Sequence, residues 1–125
     1  MQVKIHYHHT DAGGVVYYAK YLEFLEEART EYFAQRGISI KDLAGQGTLF
    51  VVARQEIDYK APAFYADTLT VSSWVSNLGP ARIEFEGEVK NQNGQLISKA
   101  KTILVCIGKD FKPKAIPEDL RPRLS

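Results

Sequence analysis

The sequence predicts an α+β domain in which a five-stranded antiparallel sheet packs on one long central helix. Three features predict this class: one long amphipathic stretch, five segments rich in β-branched and aromatic residues, and short turn-forming connections between the later segments. The length of 125 residues fits a single domain spanning 1–125. One helix covers only one sheet face, so we expect a partner subunit to cover apolar strand residues on edges or faces, among them Val52, Ile57, Val71, Trp74 and Ile83.

The first half of the chain supplies one strand and the helices. Apolar and polar residues alternate over residues 3–8, which predicts a half-buried strand. Apolar residues recur at three- and four-residue steps over 18–36, which predicts the long helix. Gly37 suits the left-handed position that ends many helices. Ser39 begins a capping pattern that predicts a short second helix ending near Gly45.

The second half reads as four strands joined by turns. The strands are predicted at residues 48–60, 67–77, 81–90 and 95–107. The Asn-Gly pair within residues 91–94 is a hairpin signal, and the short connections imply an antiparallel meander. Three prolines within residues 112–125 predict a largely irregular tail.

Composition excludes several classes of protein. Sixteen basic residues against fifteen acidic ones give a net charge of +1, without the basic stripe that a nucleic-acid-binding protein carries. The single cysteine, Cys106, allows no intrachain disulfide and is compatible with a reducing cytosol. No apolar run approaches the length of about 18 residues that a membrane span needs. We therefore expect a soluble, cytoplasmic protein.

The strongest candidate for chemistry is Asp11, in a glycine-bearing loop that leads into the start of the long helix. Unpaired N–H groups at a helix start, together with the helix dipole, can polarise a carbonyl or hold an oxyanion. A nearby carboxylate can act as nucleophile or general base. The pairing suits acyl transfer or hydrolysis, but the same pattern also fits an aspartate that only stabilises the turn or caps the helix.

One ungapped run resembles the signature of hotdog-fold acyl-CoA thioesterases, and is most similar to the Tol-Pal-associated and 4-hydroxybenzoyl-CoA thioesterase groups. The residues that carry it are Tyr7-x-x-Thr10-Asp11-Ala12-Gly13-Gly14-Val15-Val16-Tyr17-Tyr18-Ala19-x-Tyr21-Leu22-x-Phe24-x-Glu26-x-Ala28-Arg29-x-Glu31. A weaker match continues through Ile57-x-Tyr59-x-x-Pro62-Ala63 to the last strands. The resemblance implies a hotdog fold, active sites at a dimer interface, and often tetramers built as dimers of dimers.

The resemblance also implies roles for individual residues. Asp11 takes the position of the catalytic carboxylate, and the backbone N–H near Tyr18 takes that of the group contacting the thioester carbonyl. The Tol-Pal-associated group usually has histidine where this chain has Tyr18, whereas the hydroxybenzoyl group has tyrosine. Either residue supplies a backbone N–H donor. The expected substrate-binding residues are Tyr7, Gly13, Gly14, Val16, Tyr17 and Arg82. Tyr7 could equally be a core residue.

Other polar residues have both functional and purely structural interpretations. His8 and His9, as neighbours on a strand, would face opposite sides, so we expect no metal site. Cys106 lies in an apolar run and is expected to be an inert buried thiol. The helical spacing of Glu26 and Arg29 allows an ion pair. The cations that could meet coenzyme A phosphates, or simply be solvated, are Arg54, Lys60, Arg82 and Lys99.

The leading functional hypothesis is therefore an acyl-CoA thioesterase that needs no metal or redox cofactor, since a thioester is already activated and water is the co-reactant. Two alternatives remain open. A hotdog dehydratase acting on a 3-hydroxyacyl thioester would need a histidine and carboxylate pair in its pocket. A non-catalytic module would bind an acyl thioester or a partner protein without turnover. The sequence specifies neither the acyl group of the substrate nor whether the protein forms a dimer or a tetramer.

Overall fold

A five-stranded antiparallel sheet carries one long helix on one of its faces, as predicted. The computed structural model describes residues 1–124. Its elements are β1 (Gln2–Lys4), a 3₁₀ turn (Tyr7–His9), α1 (Lys20–Gln35), α2 (Ile40–Gly45), β2 (Leu49–Tyr59), β3 (Thr68–Leu78), β4 (Arg82–Lys90), β5 (Leu96–Ile107) and a second 3₁₀ turn (Arg121–Arg123).

The order of strands across the sheet is β1-β3-β4-β5-β2, so the predicted simple meander holds only for β3, β4 and β5. β2 does not pair with β3, because the chain crosses after Tyr59 and β2 forms the opposite edge of the sheet, beside β5. The edge of β3 that a meander would give to β2 is taken by β1, whose Val3 lies opposite Leu69. Local turn signals could not reveal this crossing.

The first strand is shorter than predicted. It ends at Lys4, and residues 7–9 form the 3₁₀ turn instead of continuing the strand. The Ile5 N–H still donates to the Asp67 carbonyl at 2.8 Å, but the His9 N–H donates to the His6 carbonyl at 3.0 Å, which is turn geometry. The alternation over residues 3–8 therefore mimicked a longer strand.

The two faces of the sheet differ in polarity. On β4, Ile83 and Phe85 are buried on the side of the helix, whereas the alternating residue Glu84 lies on the outer side and pairs with Lys101 at 3.0 Å. Val71 is also buried beneath the helix. The expectation that residues such as Val71 and Ile83 need a partner subunit is thus wrong, because α1 already covers them.

The helix ends match the sequence prediction. Gly37 has a φ of +71°, and the next residue, Ile38, donates its N–H to the Phe33 carbonyl at 2.9 Å, which is the Schellman arrangement. The Ser39 hydroxyl accepts the Asp42 N–H at 3.1 Å and so caps α2. Local sequence signals were therefore sufficient to predict the end of α1 and the start of α2.

The tail beyond Lys112 is irregular apart from its last 3₁₀ turn, yet it is tightly packed. Its side chains Ile116, Leu120 and Leu124 are buried in the cluster that contains Phe33 and Phe85. The tail therefore closes one end of the core. Within residues 1–124, no helix combines the length and apolar character needed to cross a membrane.

The middle of α1 packs tightly on the sheet at Gly87. A Cβ placed on this glycine would lie 2.6 Å from Cδ2 of Leu25 and 3.3 Å from the Ser72 carbonyl oxygen. Backbone on one side and a buried helix side chain on the other leave no room for a methyl group. Glycine at this position therefore permits the observed spacing of helix and sheet.

We expect Gly87→Ala to lower the free energy of unfolding by about 1–3 kcal/mol through overpacking. Denaturant unfolding followed by circular dichroism measures the change. Gly45→Ala is the matched control, because a Cβ at Gly45 meets nothing within 4 Å and its φ is not positive. Equal stability of the two variants would show that α1 can move away from the sheet at no cost.

Candidate active site

The loop between the first 3₁₀ turn and α1 is held in a tight turn. The Asp11 N–H donates to the Val15 carbonyl at 2.9 Å, and the Gly14 N–H donates back to the Asp11 carbonyl at 3.0 Å. Gly14 has a φ of +80°, a conformation that residues with a Cβ adopt only under strain. The turn therefore requires glycine at position 14 for its backbone conformation, whereas Gly13 has no positive φ.

The Asp11 carboxylate takes part in this turn and remains exposed. Its Oδ1 accepts the Gly13 N–H at 2.8 Å, while Oδ2 accepts no hydrogen bond from any residue within 1–124. A Cβ on Gly13 would lie 3.1 Å from Oδ1, so glycine also leaves space for the carboxylate. The turn-stabilising and reactive interpretations of Asp11 are thus compatible: one oxygen orients the group and the other is available for chemistry.

Asp11 opens onto a cavity of about 360 Å³ at the start of α1. The cavity lies between this loop, the helix start and the end of β2. It is lined by Asp11, Val15, Val16, Tyr18, Tyr21, Tyr59, Lys60, Ala61 and Pro62. Three residues singled out from the sequence, Asp11, Val16 and Tyr18, therefore meet in one place.

Tyr18 stands two residues before the first residue of α1 and is fixed by contacts on both sides. The preceding Tyr17 N–H donates to the His9 carbonyl at 2.9 Å, and the Tyr59 hydroxyl donates to the Tyr18 carbonyl at 3.1 Å. The Tyr18 N–H itself has no hydrogen-bond acceptor in the described part of the chain. An unpaired donor at the positive end of the helix dipole, beside a carboxylate, can stabilise a developing oxyanion.

Two tyrosines that the sequence did not single out as site residues, Tyr21 and Tyr59, line the same cavity as Asp11. Burial raises the pKa of Tyr21 to about 12, although a hydrogen bond with the Ala63 backbone acts in the opposite direction. Burial, and then the nearby Tyr18, raise the pKa of Tyr59. Both phenols are therefore neutral near pH 7 and are not bases. Two sequence features could have identified these tyrosines as site residues: the i+3 spacing of Tyr21 from Tyr18, and the weaker motif around Tyr59.

Other predicted substrate-binding residues do not line this cavity. The side chain of Tyr7 is 81% exposed and contacts Tyr65 edge-on at 6.3 Å between ring centres, so the alternative of core packing is wrong. Tyr17 packs beside Tyr18 with ring centres 4.9 Å apart, and interaction with the Tyr18 side chain raises the pKa of Tyr17. Gly13 shapes the loop without lining the cavity.

Arg82 lies at the far end of the sheet. It pairs with Val105 on β5, whereas Tyr59 pairs with Ser98 seven residues away, a separation of about 23 Å along a strand. Arg82 lines a different cavity, beside Gly79. Within one chain it does not meet Asp11.

Among the other predicted cations, only Lys60 lines the cavity, and Arg54 is engaged in an ion pair with Glu56.

The ion pair that the helical spacing of Glu26 and Arg29 allows does not form. Arg29 is buried and donates to the Thr102 hydroxyl at 3.4 Å, whereas Glu26 accepts the hydroxyl of Thr30 at 3.0 Å. Rotation about the helix places Arg29 towards the sheet and Glu26 towards solvent.

His8 and His9 lie in the 3₁₀ turn, so the strand argument against a shared metal ion does not apply to them. Their ring centres are 4.0 Å apart. Within residues 1–124, no three or more His, Cys, Asp or Glu side chains are placed to hold a metal ion. Cys106 is completely buried, and burial raises the pKa of its thiol, which fits an inert residue.

Comparison with known proteins gives concordant relatives. The model of a family described as the thioesterase-like superfamily matches residues 5–124. The chain is 40% identical over 122 residues to the acyl-CoA thioesterase YbgC of Haemophilus influenzae, covering 95% of this chain and 88% of that protein. It is 34% identical over 125 residues to the long-chain acyl-CoA thioesterase FadM of Escherichia coli K12, covering 98% and 94% of the two chains.

The fold is shared with solved thioesterase structures. A DHNA-CoA thioesterase from Staphylococcus aureus superposes with a TM-score of 0.93 at 30% sequence identity, over 98% of this chain and 85% of that one. Together with the five-stranded sheet and its long helix, this similarity confirms the hotdog fold that the sequence resemblance implies. With a family model matched from the end of β1 through the tail, the chain belongs to the thioesterase-like superfamily.

Proposed function

We propose that the protein is an acyl-CoA thioesterase that hydrolyses a thioester to a free acid and coenzyme A. The observation that carries the proposal is the exposed Asp11 carboxylate in the same cavity as the unpaired Tyr18 N–H. Relatives spanning nearly the whole chain are named as acyl-CoA thioesterases, which supports the same activity here.

In the first possible route, Asp11 acts as a general base. Its free oxygen takes a proton from water, and the resulting hydroxide attacks the thioester carbonyl carbon. The Tyr18 N–H stabilises the tetrahedral oxyanion. Collapse breaks the carbon–sulfur bond and releases the coenzyme A thiolate, which recovers the proton from the Asp11 carboxylic acid.

In the second route, Asp11 attacks the thioester carbonyl carbon directly. Loss of the thiolate leaves a mixed anhydride between the acyl group and the Asp11 carboxyl. Water then cleaves the anhydride, restoring the carboxylate and supplying the oxygen of the product acid and the proton for the thiolate. Both routes use the same two groups, and neither needs a metal or redox cofactor.

The remaining cavity residues suit binding. The aromatic walls formed by Tyr21 and Tyr59 suit an apolar acyl group, and Lys60 places a cation at the rim where a coenzyme A phosphate could lie. We propose a cytoplasmic location, where acyl-CoA substrates are available.

The two alternative functions make different demands on the site. None of His6, His8 and His9 lines the cavity, which disfavours a dehydratase that needs a histidine beside Asp11. A non-catalytic binding module would keep the cavity but show no turnover. Measurement of hydrolysis separates it from the proposed enzyme.

We expect Asp11→Asn to lower kcat by about 10²–10⁴-fold, because the amide cannot act as base or nucleophile. Asparagine retains an oxygen that can accept the Gly13 N–H, so the turn is preserved. Thiol release from short-chain, long-chain and aromatic acyl-CoAs measures the rate and identifies the preferred acyl group. The buried Cys106, with its raised thiol pKa, contributes little background in this assay.

Asp119→Asn is the matched control, since Asp119 is an exposed aspartate of the tail and lies outside the cavity. It should hydrolyse at the wild-type rate. An Asp11→Asn variant as fast as wild type would remove Asp11 from the mechanism. Tight binding of every tested acyl-CoA without turnover by wild type would favour the binding module.

We further propose that the working unit is a homodimer joined along β2, which two dimers can extend to a tetramer. β2 is an edge strand of 11 residues, so one row of its backbone donors and acceptors faces outward. Val52 is 52% exposed on this edge, which is unusual for a strand valine beside a core. Antiparallel pairing of two copies would continue the sheet and cover the β2 edge of each copy.

A groove of about 440 Å³ lies beside the same edge, between α1 and β2. Its apolar part comes from Leu22 and Val52, and the buried Arg29 lies at its floor. The groove has no nucleophile next to an unpaired backbone donor, so we assign it to the subunit contact and not to catalysis. The Asp11 cavity includes Tyr59, at the end of the same strand, and pairing along β2 would bring a second chain to its open side.

We expect Val52→Glu to dissociate the dimer, because it places a charge beside the exposed Val51 on the apolar part of the β2 edge, and to reduce hydrolysis. Sedimentation velocity and the thiol assay measure the two effects on one sample. Asn93→Glu adds the same charge to the exposed turn between β4 and β5 and should change neither. A wild-type chain that sediments as an active monomer would contradict the proposed assembly.

A further inference from the structure

The first 3₁₀ turn brings three histidines next to the candidate active site without placing any of them in the cavity. The His6 and His8 rings are stacked with centres 6.0 Å apart, and the His9 ring lies 4.0 Å from that of His8. Nothing in the proposed hydrolysis uses these side chains directly. The question is what they do to the loop that carries Asp11.

His9 makes the contact that closes the turn. Its Nδ1 accepts the backbone N–H of His6 at 2.9 Å. A ring nitrogen accepts a hydrogen bond only when it carries no proton, so this arrangement requires the neutral imidazole with its proton on Nε2. Protonation of His9 would turn the acceptor into a donor facing another donor and break the contact.

The same residue is tied to both sides of the reactive loop. The His9 carbonyl accepts the Tyr17 N–H at 2.9 Å, immediately before the unpaired Tyr18 donor. The His9 ring packs edge-on against Phe24 of α1, with centres 5.3 Å apart. Asp11 follows only two residues later. Movement of His9 would therefore displace the carboxylate and the oxyanion donor relative to each other.

We propose that His9 is a positioning residue that holds Asp11 and the Tyr18 N–H in register only while its imidazole is neutral, so that hydrolysis fails in mild acid when His9 gains a proton. The proposal rests on the proposed thioesterase function. It makes the rate of hydrolysis in mild acid depend on His9. A shift of about 1 Å in a reacting group is sufficient to lower a rate a hundredfold.

The groups around His9 determine the pH at which its imidazole gains a proton. Burial, then the neighbouring His8 and His6 of its own turn, and then Lys20 of α1 lower the pKa of His9, while Glu23 of α1 raises it less. The folded-state pKa therefore lies below the usual value of about 6.5. The neutral turn is favoured above that value, and its contribution to stability is lost as the pH falls through the folded-state pKa.

Two substitutions distinguish the role of the His9 hydrogen-bond acceptor from that of its aromatic ring. His9→Phe keeps an aromatic ring against Phe24 but supplies no acceptor, and it should lower kcat on the order of ten- to a hundredfold even at pH 8. KM should change little, because His9 does not line the cavity. His9→Asn supplies an oxygen acceptor that does not titrate, and it should recover kcat to within about threefold of wild type at pH 8.

The pH profile of kcat is the decisive activity measurement. Wild type should lose activity as the pH falls through the lowered pKa of His9, whereas His9→Asn should keep its activity over the same pH range. His8→Asn is the control: it removes a neighbouring positive charge, so the wild-type acid limb should persist and move to higher pH. A His9→Asn variant with the wild-type acid limb, or a fully active His9→Phe variant, would overturn the proposal.

An NMR titration tests the same contact without turnover. The backbone amide signals of His6 and Gly13 should follow the protonation of the His9 ring in wild type and should not do so in His9→Asn. This result would stand even if no acyl-CoA were hydrolysed, which separates a failure of the positioning proposal from a failure of the proposed function. If the amide signal of His6 did not change as His9 titrates, the hydrogen bond from the His6 N–H to the His9 ring would be refuted.

Discussion

The close packing of α1 on the middle of the sheet is the constraint on which the remaining structure depends. Gly87 allows Leu25 to reach a depth at which a methyl group would overlap it. Because the helix is held at its midpoint, its two ends are fixed in space as well. The C-terminal half meets Phe85 and the buried tail, and the N-terminal end is held near the end of β2, where the candidate active site forms.

The site shows how the loop obtains reactive geometry from ordinary turn chemistry. A turn-forming aspartate uses one carboxylate oxygen for the Gly13 N–H, which leaves the second oxygen oriented but unpaired. Tyr18 lies just before the first turn of α1, where the Tyr59 hydroxyl donates to its carbonyl while its N–H donates to no acceptor within residues 1–124. Ordinary turn and helix-start geometry thus places the Asp11 carboxylate and Tyr18 in one cavity.

Sequence signals predicted the features that depend on neighbours along the chain. The end of α1 at Gly37 and the glycine turn after Asp11 follow from local conformational preferences, and both are confirmed. The position of β2 beside β5 and the placement of Tyr59 in the same cavity as Asp11 depend on a crossing over the sheet, which no local pattern encodes. The expected pair of Glu26 and Arg29 failed for a related reason: spacing shows which residues can meet, but burial determines which way each side chain turns.

The departure at Tyr18 can be understood from the same geometry. The Tol-Pal-associated thioesterases that the sequence resembles usually carry histidine at this position, yet in the proposed mechanism the group that contacts the substrate carbonyl is the backbone N–H, which tyrosine supplies equally well. The side chain is then free to shape the cavity wall with Tyr59, its edge-on neighbour at 6.3 Å between ring centres. The proposed mechanism thus uses the backbone of Tyr18 for the reaction and its side chain for the cavity wall, so a change of side chain would alter the acyl group that is bound while the hydrolytic step is kept.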